Sequence, residues 1–243
     1  SLEEIAANSP HPKSFQIYVR GDDDWIKALA RRAVDAGYKS ITLTVDSSFY
    51  GNRERLSPTQ LALRNVPERD FQKGITWDTV KLVQDTIGDV PFVVKGIMTA
   101  EDAAIAVEHK VDCVYISNHG GRQLDHVYGN IDTLPEIVEA VDGKCQVIID
   151  GGFTRAGDML KAIALGANAV AIGRLQAWAL GAGDAEGLVK CLELLEIEIE
   201  RTMGLLGVTS LDQLDPSYVG PAMPVRLPHE HSAFPHLPDD RIA

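Results

Sequence analysis

Aromatic side chains make up only 6% of the 243 residues, and there are only three cysteines. Cys113, Cys145 and Cys191 are odd in number and far apart, and two of them sit inside apolar runs. That excludes a disulfide frame and a cysteine metal site, and reads as reduced thiols in a cytoplasmic protein. No apolar run is long enough to span a bilayer, and no signal peptide is visible. Basic residues are also short: 23 Lys and Arg stand against 35 Asp and Glu, a net charge of -12 with no basic run. Neutralising phosphates needs clustered cations, so nucleic acid and anionic membrane are both disfavoured as partners. An initial Met is missing as well. Ser1 followed by Glu3-Glu4 reads as a helix cap with an acidic first turn, so residue 1 is not expected to be a natural start.

Hydrophobic residues, at 45%, suffice for one large core. Strand and helix signals alternate along most of the chain. Strands are expected at Phe15–Val19, Ser40–Asp46, Pro91–Lys95, Val111–Ile116, Cys145–Asp150 and Asn168–Ile172. Helices are expected at Asp24–Tyr38, Thr76–Ile87, from Thr99 to about His109, Leu134–Val141, Arg155–Leu165, from about Leu175, and at Ala185–Leu206. Residues 47–75 form a polar segment, and residues 218–243, rich in Pro and His, an irregular tail after a barrel domain over 1–217. The spacing His229-Glu230-His231 in that tail is not taken as a metal site.

Near-continuous apolar strands alternating with helices predict a parallel α/β sheet. Polar residues collect at the carboxyl ends of all these strands, which favours a (β/α)8 TIM barrel over an open doubly wound sheet. Only about six of the eight βα units are counted, so about two are expected to lie before residue 1. The densest polar cluster is Ser117-Asn118-His119-Gly120-Gly121-Arg122-Gln123-Leu124-Asp125. It brings together an imidazole able to act as a base near neutral pH, glycines that let a ligand approach the backbone, and a guanidinium fork suited to a carboxylate. Alone, such a turn could equally hold a capping His and a surface Arg.

Taken together, Phe15-Gln16-Ile17-Tyr18-Val19, Leu43-Thr44-Val45-Asp46, Gly51-Asn52-Arg53-Glu54-Arg55, Val94-Lys95-Gly96, the stretch 117–125, Asp150-Gly151-Gly152-Phe153 and Ala171-Ile172-Gly173-Arg174 resemble the FMN-dependent α-hydroxy acid oxidases and dehydrogenases. The resemblance implies oxidation of a small L-2-hydroxy acid to a 2-oxo acid, with oxygen or another acceptor taking the electrons, in a homotetramer. It implies His119 as base, Asp46 as its orienting carboxylate, and Tyr18 as a substrate hydrogen-bond partner. Arg122 and Arg53 are implied as carboxylate clamps, and Lys95 as a cation beside the flavin. It further implies cofactor contacts at Gln16, Thr44, Ser117, Asp150, Gly151, Gly152, Arg155, Gly173 and Arg174. Thr154 departs from the family pattern, which has an arginine there, so Arg155 stands alone. A related FMN barrel acting on a peptide-derived substrate, and an inactive truncated barrel, are the alternatives.

Overall fold

A computed structural model describes residues 1–49, 51 and 70–222. Helix α1 (Leu2–Ala7) opens with the expected cap: the Ser1 side chain accepts from Glu4 N, and the Glu4 side chain reaches back. Six parallel strands follow, β1 (Ser14–Ile17), β2 (Ser40–Thr44), β3 (Phe92–Ile97), β4 (Cys113–Ile116), β5 (Gln146–Ile149) and β6 (Ala169–Val170). They pair strictly in chain order, β1-β2-β3-β4-β5-β6. The result is a curled arc, a half-barrel with β1 at one edge and β6 at the other. The helices between the strands are α2 (Asp23–Asp35), α3 (Asp70–Lys73), α4 (Trp77–Ile87), α5 (Ala100–Glu108), α6 (Asn130–Val141) and α7 (Ala156–Ala164). Helix α8 (Arg174–Leu206) closes the series, followed by short 3-10 turns at Leu211–Gln213 and Pro216–Tyr218.

Alternation along each strand gives the sheet two different faces. Ile17, Ile41, Leu43, Phe92, Val94, Val114, Ile116, Val147 and Ile149 all point to the helix side and join one buried core. That core also takes Ala30 and Ala33 from α2, Val80 and Val83 from α4, Ala103 and Ala106 from α5, and Leu134 and Ile137 from α6. Small residues on α2 and α5 let those helices lie close to the sheet. Burying a side chain such as Phe92, which is 1% exposed, contributes about 1.5–3 kcal/mol. The other face is concave and largely polar. Register aligns Thr44 with Lys95, Lys95 with Tyr115, and Tyr115 with Ile148, so these four form one row across it.

Strand ends differ from expectation by a residue or two. Tyr18 and Asp46 lie just past β1 and β2, because the chain turns outward there to form the site. Helix α6 starts four residues earlier than its apolar run, at Asn130, and carries Pro135 in its second turn. Helix α3 lies within the polar segment 47–75 and is too short to show a period. The two helices expected from about Leu175 and at Ala185–Leu206 are both present and meet at a kink within α8. Its backbone leaves helical geometry at Gly183 and at Asp184, where φ is 50°. Met203, Val208 and Leu214 near its end pack on Leu160 and Ala164 of α7 as a small second core. Among the described residues, no helix is long and apolar enough to cross a membrane.

Candidate active site

All the strands discharge their polar groups at the same end. Past β4, Ser117 is fully buried and His119 takes a left-handed backbone, φ 58°. That conformation is unusual for a residue with a Cβ and marks a position held by its surroundings. One support is the hydrogen bond from His119 N to Ser117 Oγ, 3.1 Å. The imidazole Nδ1 lies 3.0 and 3.2 Å from the two oxygens of Asp46. A carboxylate accepts only, so Nδ1 carries the hydrogen and Nε2 is left as the acceptor. Nε2 faces the Tyr18 hydroxyl at 3.5 Å.

Asp46 reaches this place only because Gly96 has no side chain. Strand β3 bulges there, between Lys95 and Ile97, and φ at Gly96 is 113°. A Cβ on Gly96 would stand 2.6 Å from the Asp46 Cβ and 2.8 Å from its backbone N. Gly96→Ala is therefore expected to cost about 1–3 kcal/mol of stability and to push Asp46 off His119. Urea unfolding measures the first effect, and loss of substrate turnover in the folded protein the second. Gln123 holds Asp46 from the other side, donating from Nε2 to its carbonyl at 3.2 Å.

A second network lies across the concave face. Lys95 Nζ donates to Ser117 Oγ at 3.0 Å, and Ser117 Oγ donates to Asp150 Oδ2 at 3.0 Å. With His119 N as its second donor, the Ser117 hydroxyl uses its one proton and both lone pairs. Lys95 and Asp150 are themselves 3.8 Å apart, with side chains 9% and 17% exposed. The Lys95 ammonium also lies over the Tyr115 ring, 5.2 Å from its centre. Burial first, and then the Asp150 charge, push the Tyr115 phenol far above its ordinary value, so it stays neutral.

These networks border a cavity of about 380 Å³ lined by Gln16, Tyr18, Lys95, Tyr115, His119, Arg122, Asp150, Gly151, Gly152, Gly173 and Arg174, among others. Five expected residues are not among those lining it. Thr44 and Ser117 are buried just behind it; Thr44 accepts from Gln16 Nε2 at 2.6 Å. Asp46 stands behind His119. Arg155 is turned outward, 60% exposed, and pairs with Glu198 of α8 at 2.9 Å. Arg53 lies outside the described residues. Tyr115, Gln123 and Asn130 belong to the site but escape sequence reading, since an inward strand aromatic and two amides carry no distinctive spacing.

The residues present fit a flavin mononucleotide. Lys95 supplies a nearly buried cation against the cavity. Gly151 and Gly152 turn their backbone with φ of 105° and 82°, and a Cβ on Gly152 would meet nothing within 4 Å, so a ligand can come close. Gly173 caps the start of α8 and Arg174 follows it, a helix terminus plus guanidinium suited to a phosphate. Fold and site together define a flavin-type oxidoreductase barrel.

Comparison with known proteins agrees. The model of a family described as FMN-dependent dehydrogenase matches residues 1–69 and 57–221. The L-lactate oxidase of Nostoc sp. is 39% identical, the match covering 90% of this chain and 68% of that protein. The glycolate oxidase of Spinacia oleracea is 38% identical over 90% of this chain and 66% of its own length. A solved mandelate oxidase with 3,3-difluoro-2-hydroxy-3-phenylpropionic acid is 43% identical, with a TM-score of 0.77 over 87% of this chain and 64% of that one. The chain belongs to the FMN-dependent dehydrogenase family, and its cofactor is FMN. It spans about two thirds of the length of these relatives.

Proposed function

We propose that the protein oxidises a small L-2-hydroxy acid to the 2-oxo acid. The observation that carries this is the placement of the His119–Asp46 pair, Arg122 and Lys95 around one cavity. Arg122, exposed at the rim, grips the substrate carboxylate with its planar fork. That holds the α-carbon and its hydroxyl against His119. The Nε2 atom takes up a substrate proton, and Asp46, already on Nδ1, stabilises the imidazolium that forms. Tyr18 hydrogen-bonds the substrate beside Nε2. FMN, when bound, would accept the two electrons together with the second hydrogen of the substrate, and oxygen or another acceptor would reoxidise it. Lys95 places positive charge where the reduced cofactor gathers negative charge. The proposed assembly is a cytoplasmic homotetramer.

The test is anaerobic mixing of the FMN-loaded protein with a panel of lactate, glycolate, mandelate and their amides. The hydroxy acids are expected to bleach the flavin, and the uncharged amides to do so at least about tenfold more slowly, since they lose the charge-assisted contact to Arg122. Equal rates for acids and amides would refute the clamp. FMN titration checks the inactive-barrel alternative, which requires that no FMN bind.

A further inference from the structure

Asn130 is 3% exposed, yet its carboxamide spends its hydrogen bonds on two site loops instead of on its own helix. Its Oδ1 accepts from the Asn118 backbone N–H at 3.2 Å, in the loop that carries His119 and Arg122. Its Nδ2 donates to the Asp150 carbonyl at 2.7 Å and to Asp150 Oδ1 at 3.1 Å, in the loop that carries Gly151 and Gly152. The partners leave no freedom to flip the amide: a backbone N–H can only donate, and a carbonyl and a carboxylate can only accept. Gly151 is shaped around the same group. A Cβ there would lie 2.5 Å from Nδ2, and φ is 105°.

We propose that Asn130 is a positioning residue that locks the His119 loop to the Asp150 loop, so that one side chain sets both the base and the cofactor contact. The proposal rests on the reading of His119 as base and Asp150 as a flavin contact. Asn130 touches neither substrate nor cofactor; it acts through Asn118 and Asp150. Because the carboxamide serves the two loops with different atoms, the two effects are separable. Asn130→Ala removes both holds. Asn130→Asp keeps an oxygen for the Asn118 N–H but turns the other contact into two carboxylates facing each other.

The experiment compares Asn130→Ala and Asn130→Asp by FMN titration, by stopped-flow reduction of the loaded protein, and by amide hydrogen exchange of the FMN-free protein. Asn130→Ala is expected to weaken FMN binding and to slow flavin reduction, each by about tenfold or more, because buried groups on both loops lose their partners. Its amides at 118–121 and at 151–152 should both exchange faster. Asn130→Asp should weaken FMN similarly and speed exchange only at 151–152. Wild-type FMN affinity and exchange in Asn130→Ala overturns the proposal. So does the same loss on both loops in both variants, which would mark a merely structural residue. Should Asn130→Ala not fold, the loop-selective exchange of Asn130→Asp decides alone. A wild type that takes up no FMN would defeat the proposed function, while the exchange pattern would still decide the role of Asn130.

Discussion

Replacing His119 with Gln is expected to slow reduction of the flavin by a 2-hydroxy acid by roughly 10²–10⁴-fold, the usual worth of a positioned base. Glutamine keeps most of the imidazole's bulk, but its amide cannot take up a proton near neutral pH. FMN binding should be almost unchanged, because the proposed cofactor contacts, Lys95, Asp150 and the glycine turns, are left in place. The left-handed backbone at residue 119 also survives, since its support is the hydrogen bond from its own N–H to Ser117 Oγ. Single-turnover stopped-flow at saturating substrate measures the rate, and flavin content after gel filtration measures retention. Loss of FMN in step with activity would remove His119 from the role of base.

Lys95→Met is expected to have the second-largest effect, a fall of roughly 10²–10³-fold in the same rate, the scale seen when one donor to developing charge is removed. Methionine matches the length of the stem and keeps it over Tyr115, so the change is chiefly one of charge. The Asp150 carboxylate then faces the cavity without its cation, although Ser117 and Asn130 still hold it. Negative charge on the reduced flavin becomes costlier, and the midpoint potential should fall along with the rate. Spectroelectrochemistry gives the potential. An unchanged potential in a folded, FMN-loaded variant would place the Lys95 ammonium away from the reducing edge.

Much of this was legible in the residues. Apolar runs such as Val111–Ile116 and Pro91–Lys95 mark central parallel strands, in which Val93 and Cys113 are buried as well as Val94 and Val114 on the helix side. Polar residues at strand ends mark the site, since all six strands run the same way and so discharge at one end. What stayed hidden depends on partners distant in the chain. Asn130 and Asp150 meet only because α6 folds back over β4 and β5. Arg155 follows Asp-Gly-Gly-Phe-Thr, and nothing local shows that Glu198, 43 residues later, will draw it outward. Tyr115 reads as one more strand aromatic until the register sets it between Lys95 and Ile148. Strand β6, expected over Asn168–Ile172, pairs with β5 at Ala169 and Val170, and hydrogen bonds from Asn168 N to the Val147 carbonyl and from Ala171 N to the Ile149 carbonyl extend the contact.

The strictly sequential strand order also bears on how the chain folds. Among the described residues, each strand from β2 to β6 pairs with the one synthesised just before it. The sheet can therefore grow one βα unit at a time as the chain leaves the ribosome, each unit closing a short loop, which keeps the entropic cost of each step small. Cooperativity then runs from neighbour to neighbour, as in a solenoid. Opening should begin where burial is least, with β6, half-exposed, exchanging its amides well before β3 and β4, whose Phe92, Val94, Val114 and Ile116 lie deepest. The His119 loop and Lys95 ride on those central strands, so the chemical groups sit on the part of the sheet that opens last.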